Sequence, residues 1–206
     1  MPVKLTAAEI REKYDRMAPK YDLSVVFCEV LGVSRLRRHL LKQAYGEVLE
    51  IAVGTGKNLS YYPEGCRITA VDISPNMLRI AADRAERLKL RVSFQVQDAG
   101  SLPFTDSTFD TIVSALSLCT LTDPMHSLRE MARVCRKDGQ ILLLEHGRSD
   151  REWLGRWQDR KADKYAMAVG CHWNREPLDL VKEAGLTIVK NQRLFFGAIH
   201  VMKLVP

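Results

Sequence analysis

Five short runs of Val, Ile and Leu punctuate the first 146 residues: 47-EVLEIAV-53, 67-RITAVDI-73, 92-VSFQVQD-98, 109-FDTIVSALSL-118 and 140-QILLLEH-146. They are almost continuously apolar rather than alternating, which predicts parallel strands covered on both faces. The segments between them carry helix start signals. Ser74-Pro75 opens a helix over 75–89, with Ser74 as N-cap and Pro75 at the first helical position. Asp123-Pro124 opens another over 124–137, and Gly139 is read as its stop. Strand and helix alternating at this spacing predict a doubly wound α/β sheet. The end of the chain follows a different rule. After a helix over 176–185, the runs 186-LTIVKNQ-192 and 198-AIHVMKLV-205 lie too close together for a crossover helix, so they should pair as an antiparallel hairpin.

Composition narrows this picture without redirecting it. A chain of 206 residues, 46% hydrophobic and 27% charged, suits one well-packed domain, and no repeat or Pro/Gly/Ser-rich linker divides it. The five cysteines form no CxxC pair and show no zinc-ligand spacing with histidine, so they read as buried, reduced thiols of a cytosolic protein. The N-terminus turns polar within a few residues and shows no signal-peptide core, and the longest apolar stretch, 23-LSVVFCEVLGV-33, is too short to span a bilayer. The net charge of +6 gathers in 35-RLRRHLLK-42 and 148-RSDREWLGRWQDRKADK-164. Interleaved there with apolar or acidic residues, it reads as solvated helix faces, with attraction to an anionic membrane surface as the other reading.

The candidate chemistry starts at 49-LEIAVGTGKNL-59. A dinucleotide GxGxxG fingerprint would need glycine at 59, where Leu59 stands, and a Walker loop would need Ser or Thr after Lys57, where Asn58 stands. Neither phosphate cradle fits. Asp72, at the tip of the second strand, offers two acceptor oxygens, the right number for the vicinal hydroxyls of a ribose.

Glu50-x-Ala52-x-Gly54-x-Gly56 resembles motif I of the class I S-adenosylmethionine (SAM)-dependent methyltransferases, of the methyltransferase domain 11 or UbiE-like type. In that resemblance Asp72 binds ribose, Asp98 accepts from the adenine amino group and the Ala99 amide donates to the ring. The spacer LPF-x-D-x-x-FD after Asp98 is common in the family, and 14-YDRMAPKYD-22 matches the YDxxAxxYD signature of its quinone- and phospholipid-methylating branches. Tyr14 and Tyr21 are then expected over the cofactor, and Ile73, Met77 and Ser114 complete the implied cofactor-binding set. The segments 143-LLEHGRS-149 and 170-GCHWNREP-177 are similar to small methyltransferase-like proteins, some of which methylate thiols. Those relatives carry membrane-anchoring N-terminal segments that this sequence does not show.

The resemblance implies a Rossmann-like class I methyltransferase fold: a mainly parallel, seven-stranded sheet with a C-terminal antiparallel hairpin and helices on both faces. One domain over 1–206 is expected, with residues 1–45 as a helical cap and 147–174 as a substrate lid. Trp153 and Trp157 are spaced for one face of a lid helix. Transfer from a sulfonium mainly requires positioning and exclusion of water, so no metal is expected. Tyr21, His146 and His172 are the candidate catalytic residues, the histidines as bases for a thiol acceptor, and Glu145 is a candidate to orient an amine or the cofactor. The expected partner is a small, lipophilic acceptor: a thiol, a phospholipid amine or a quinone precursor. A cytoplasmic location is expected, with Arg35, Arg37, Arg38, Lys42, Trp153, Arg156 and Trp157 as a face for an anionic bilayer. A non-catalytic SAM-binding accessory protein is the alternative. A nucleic-acid substrate is disfavoured because 114-SALSLCTL-121 lacks an Asn/Asp-Pro-Pro-aromatic motif.

Overall fold

The computed structural model describes residues 3–206, so the first two residues of the expected cap lie outside the described region. Helix α1 (Ala7–Cys28) starts at a reciprocal cap, in which Thr6 accepts from the Glu9 amide and the Glu9 carboxylate accepts from the Thr6 amide. The chain kinks at Gly32 (φ 128°) and continues as α2 (Ser34–Leu41). The apolar runs then become β1 (Glu47–Ile51), β2 (Arg67–Asp72), β3 (Val92–Val96), β4 (Phe109–Ala115) and β5 (Cys135–His146). Helices α3 (Pro75–Arg87) and α4 (Pro124–Val134) lie among them, each with Pro at its start and a capping Ser74 or Asp123. Helices α5 (Glu152–Val169) and α6 (Pro177–Glu183) precede β6 (Thr187–Leu194) and β7 (Ile199–Val205).

The seven strands form one sheet in the order β3-β2-β1-β4-β5-β7-β6. The first five are parallel, and β7 runs antiparallel to both β5 and β6, as the short 186–205 connection requires. Successive strand residues point to opposite faces, so the apolar runs feed two cores. Leu49, Ile51 and Ile112 face α4 and α6, where Leu128, Met131 and Val181 meet them. Val48, Val113 and Leu142 face α2 and α3, where Leu40, Leu41, Leu78 and Ala81 close the other layer.

One boundary differs from expectation. Helix α4 ends at Val134, and Cys135 is already extended (ψ 138°) and paired with Phe109. Gly139 therefore stops no helix. It lies inside β5, where an added Cβ would sit 2.9 Å from both the Asp110 carbonyl oxygen and Cys135 Sγ. The strands approach closely there, at the register shift between Phe109 and Thr111.

Strand β1 leaves the sheet through Ala52, whose φ of 51° is left-handed. A Cβ in that region costs about 1–2 kcal/mol, partly offset by glycine's greater freedom in the unfolded chain. Ala52→Gly is expected to raise the stability by about 1 kcal/mol in urea denaturation, without a change in m-value.

Candidate functional site

Between β1 and β4 the strand order reverses, which leaves a crevice at the carboxyl ends of the strands. A cavity of about 870 Å³, counting its open mouth, occupies this place. The end of β1 and the loop after it contribute Glu50, Ala52 and Gly54 to its wall, and the end of β2 with the start of α3 contributes Asp72, Ile73 and Met77. Asp98 and Ala99 enter from the loop after β3, and Tyr14 and Tyr21 from α1.

Asp72 organises the floor. One of its oxygens accepts from the Gly54 amide at 2.8 Å and the other from the Ser74 amide at 2.9 Å. Burial pushes its pKa up to about 6, with the nearby Asp15 carboxylate adding to the rise and the backbone amides opposing it. Each oxygen retains acceptor capacity beyond its one backbone bond. Glu50 is also buried. It accepts from Asn58 Nδ2 and the Tyr62 hydroxyl, both at 2.8 Å, and burial pushes it up to about 7. Asp98 accepts from the Gly100 amide at 2.8 Å, which fixes the third loop.

Helix α1 covers this floor and is held by two carboxylates seven residues apart, on one helix face. Asp15 accepts from the Ser74 hydroxyl (2.6 Å) and the Asn76 amide (3.1 Å), gripping the start of α3. Asp22 accepts from the Thr55 hydroxyl (2.6 Å), pairs with Lys57 (3.5 Å) and meets Arg84 of α3. These ties place Tyr14 and Tyr21 over the cavity with ring centroids 6.3 Å apart. Burial raises both phenols well above their ordinary range, so both are protonated donors at neutral pH.

The other named residues lie elsewhere. An added Cβ at Gly56 would sit 2.8 Å from Leu59 Cδ1 and 3.2 Å from Ala81, so this glycine seats the loop on α3. Ser114 is fully buried and donates to Glu145 Oε1 at 2.8 Å. The other Glu145 oxygen accepts from the Ser117 and Leu118 amides at 2.9 and 3.1 Å, so Glu145 clamps the loop after β4, whose Ser117 and Thr120 do line the cavity. Burial pushes Glu145 up to about 7. His172 faces a separate shallow pocket with Arg175, and burial and that arginine lower its pKa.

His146 stands beside two thiols outside the cavity wall, with Cys171 Sγ 3.4 Å from its Nε2. Burial opposes the charged imidazole, but Cys119 and the Glu145 carboxylate outweigh it and raise His146 to about 9. Cys119 itself is held well above its ordinary range by its contact with Cys171 and by burial. This cluster brings two cysteines to a histidine without any zinc-ligand spacing in the sequence. Its members are far apart in sequence, so spacing could not reveal it.

Three residues that shape the site carry no separate signal in the sequence. Asp15 and Asp22 belong to the YDRMAPKYD motif, directly after its two tyrosines. Arg37, expected on a solvated basic face, is instead 6% exposed and lines the cavity. It donates to Glu29 (3.1 Å) and Asn58 (2.8 Å), which removes it from any membrane-facing set.

A methyltransferase domain model matches residues 49–143. The yeast (Saccharomyces cerevisiae) mitochondrial methyltransferase OMS1 is 29% identical over 94% of this chain and 45% of its own length. A Cereibacter sphaeroides phosphatidylethanolamine N-methyltransferase is 37% identical over 62% of this chain and 63% of its own. The Cellvibrio japonicus ubiquinone/menaquinone biosynthesis C-methyltransferase UbiE is 33% identical over 77% of this chain and 68% of its own. The chain thus spans about half to two thirds of the length of these relatives. In fold it is similar to a SAM-dependent methyltransferase from Thermotoga maritima, at a TM-score of 0.67 and 22% identity over 95% of this chain and 99% of that one. With the reversed strand order, the crevice and these relatives together, the chain belongs to the class I SAM-dependent methyltransferases.

Proposed function

We propose that the protein transfers a methyl group from SAM to a small, lipophilic acceptor. The observation that carries this reading is Asp72: a buried carboxylate with one backbone donor on each oxygen, no cation partner within hydrogen-bonding reach, and a cavity in front of it. Two hydroxyl donors from a ribose would complete its hydrogen bonding and favour its charged form. Asp98 and the Ala99 amide would hold adenine, and Ala52 and Gly54 would let the backbone approach the amino-acid end. SAM, when bound, supplies a methyl group already activated by a sulfonium. The chain's own work is then to hold the donor, bring the acceptor into line and keep water out.

The tyrosines suit the last two tasks. Their raised pKa values make Tyr14 and Tyr21 hydrogen-bond donors and apolar walls rather than bases. Neither His146 nor His172 reaches the cavity wall. The proposed reaction therefore rests on positioning, with an acceptor that loses its proton to solvent or to Glu50, whose pKa near 7 suits exchange at neutral pH.

A lipophilic acceptor is supported by the surface around α1. Leu23, Phe27, Val30 and Leu31, at its C-terminal end and the kink, are 56–79% exposed. Phe195 and Phe196, in the β6–β7 turn, are 48% and 63% exposed, and Phe195 Cζ lies 3.4 Å from where a Gly32 Cβ would be. On α5, Trp153 and Trp157 are exposed beside the basic Arg151 and Arg156. Exposed apolar and aromatic groups, with cations beside the tryptophans, suit the headgroup region of an anionic bilayer. No described helix is long and apolar enough to cross a membrane.

Three outcomes test this reading. Asp72→Asn should weaken SAM binding by about 1.5–3 kcal/mol, roughly 10- to 150-fold in calorimetry, while the protein stays folded. Unliganded Asp72 is protonated below about pH 6, so wild-type affinity should rise as pH rises through 6 and then level off, a step absent from Asp72→Asn. Phe27→Glu combined with Val30→Glu should abolish co-sedimentation with phosphatidylglycerol vesicles and leave SAM affinity unchanged. Wild-type protein that ignores those vesicles would remove the membrane part of the reading. Transfer itself is checked with methyl-labelled SAM offered to thiols, phosphatidylethanolamine and quinol precursors. Binding of SAM with label reaching none of them would favour a non-catalytic SAM-binding protein.

A further inference from the structure

The cluster beside His146 has no task in the proposed transfer. Cys119 comes from the loop after β4, His146 from the tip of β5 and Cys171 from the segment after α5, and their donor atoms all lie within 4.8 Å of one another. No other such group of three converges among the described residues. Cys119 is 2% and Cys171 7% exposed.

The donors are held in place by bonds that involve no sulfur. The His172 amide donates to the Cys119 carbonyl at 2.8 Å. Glu145 accepts from the Leu118 amide at 3.1 Å, and Arg175 donates to the Leu118 and Leu121 carbonyls at 2.5 and 2.8 Å.

The sulfur–nitrogen separation suits a tetrahedral cation. Bonds of about 2.3 Å to sulfur and 2.0–2.1 Å to nitrogen put neighbouring sulfur and nitrogen about 3.5 Å apart. Cys171 Sγ and His146 Nε2 are 3.4 Å apart. Two thiolates and a neutral imidazole select soft, thiophilic ions over magnesium or calcium, and they neutralise a divalent charge in a buried place.

We propose that Cys119, His146 and Cys171 form a three-ligand site for a thiophilic divalent cation of the zinc class, with the fourth position left to a non-protein ligand. On binding, the two thiols release their protons to solvent, two metal–sulfur bonds and one metal–nitrogen bond form, and no electron moves. The cation fastens the segment after α5 to the loop after β4, whose Ser117 and Thr120 line the cofactor cavity. This inference stands independently of the proposed acceptor.

The test uses the full-length protein, reduced and stripped with a chelator. Titration with cobalt(II) should saturate at one equivalent with a thiolate-to-cobalt charge-transfer band, and zinc should displace the cobalt. Bound zinc should protect two thiols from maleimide, located at Cys119 and Cys171 by peptide mass spectrometry. Cys119→Ser and Cys171→Ser should each weaken zinc binding at least about 100-fold, whereas Cys135→Ser, at a buried cysteine at the start of β5, should not. Absence of the charge-transfer band from wild-type protein would overturn the site even if the serine variants fail to fold. So would zinc binding that leaves both thiols open to maleimide, or a Cys119–Cys171 disulfide as the only product of the titrated protein.

Discussion

The cofactor end of this protein depends on the grip of α1 through Asp15 and Asp22. The sheet alone would leave the loops after β1 and β2 as exposed turns. Asp15 binds the Ser74 hydroxyl and the Asn76 amide, and Asp22 binds Thr55, Lys57 and Arg84. Each carboxylate thus ties the cap to a different loop and to α3. Asp22 is held below the usual carboxylate range because Thr55, Arg84 and Lys57 outweigh its partial burial. The grip is a charged one, and it weakens as pH falls through that lowered value. Because the two aspartates share a face with spacing seven, the tyrosines just before them also share one, and both rings close over the crevice.

Beneath the cap, three strands end in buried carboxylates, and each is used as a loop clamp. Glu50 holds Asn58 and Tyr62, Asp72 holds Gly54 and Ser74, and Glu145 holds Ser117 and Leu118. Burial raises all three, to about 7, 6 and 7. A buried acid with unfilled acceptor capacity lowers stability unless donors reach it, and here the donors are the loops that shape the cavity. Fold and site are therefore held by the same bonds. A change at Glu145 would act on the cavity through the loop after β4 and not by touching a ligand.

The order of strands and helices along the chain, the hairpin and the caps at Ser74 and Asp123 were all legible, because period, length and local capping chemistry are short-range properties. So was the core of the crevice. Asp72, Asp98 and the loop from Glu50 to Gly54 sit at strand ends that the apolar runs mark. Gly139 was misread because a glycine after a helix usually ends it, whereas here it admits a close approach of β4 and β5 that only strand pairing creates. Arg37 was misread because a basic run gives no sign of which member turns inward. Its partners Glu29 and Asn58 lie 8 and 21 residues away.

The sequence by itself determined the α/β order, the antiparallel end of the sheet and the acidic positions at the strand tips, since each is written in a window of a few residues. Tertiary structure alone decided which side chains meet. It set Asp15 and Asp22 against two loops, turned Ser114 and Glu145 toward each other and away from the cavity, and gathered Cys119, His146 and Cys171 from three distant segments. The reason is physical. Propensity and periodicity act along the chain over a turn or a strand, whereas convergence of donors and acceptors depends on how closely packed layers bring remote backbone together.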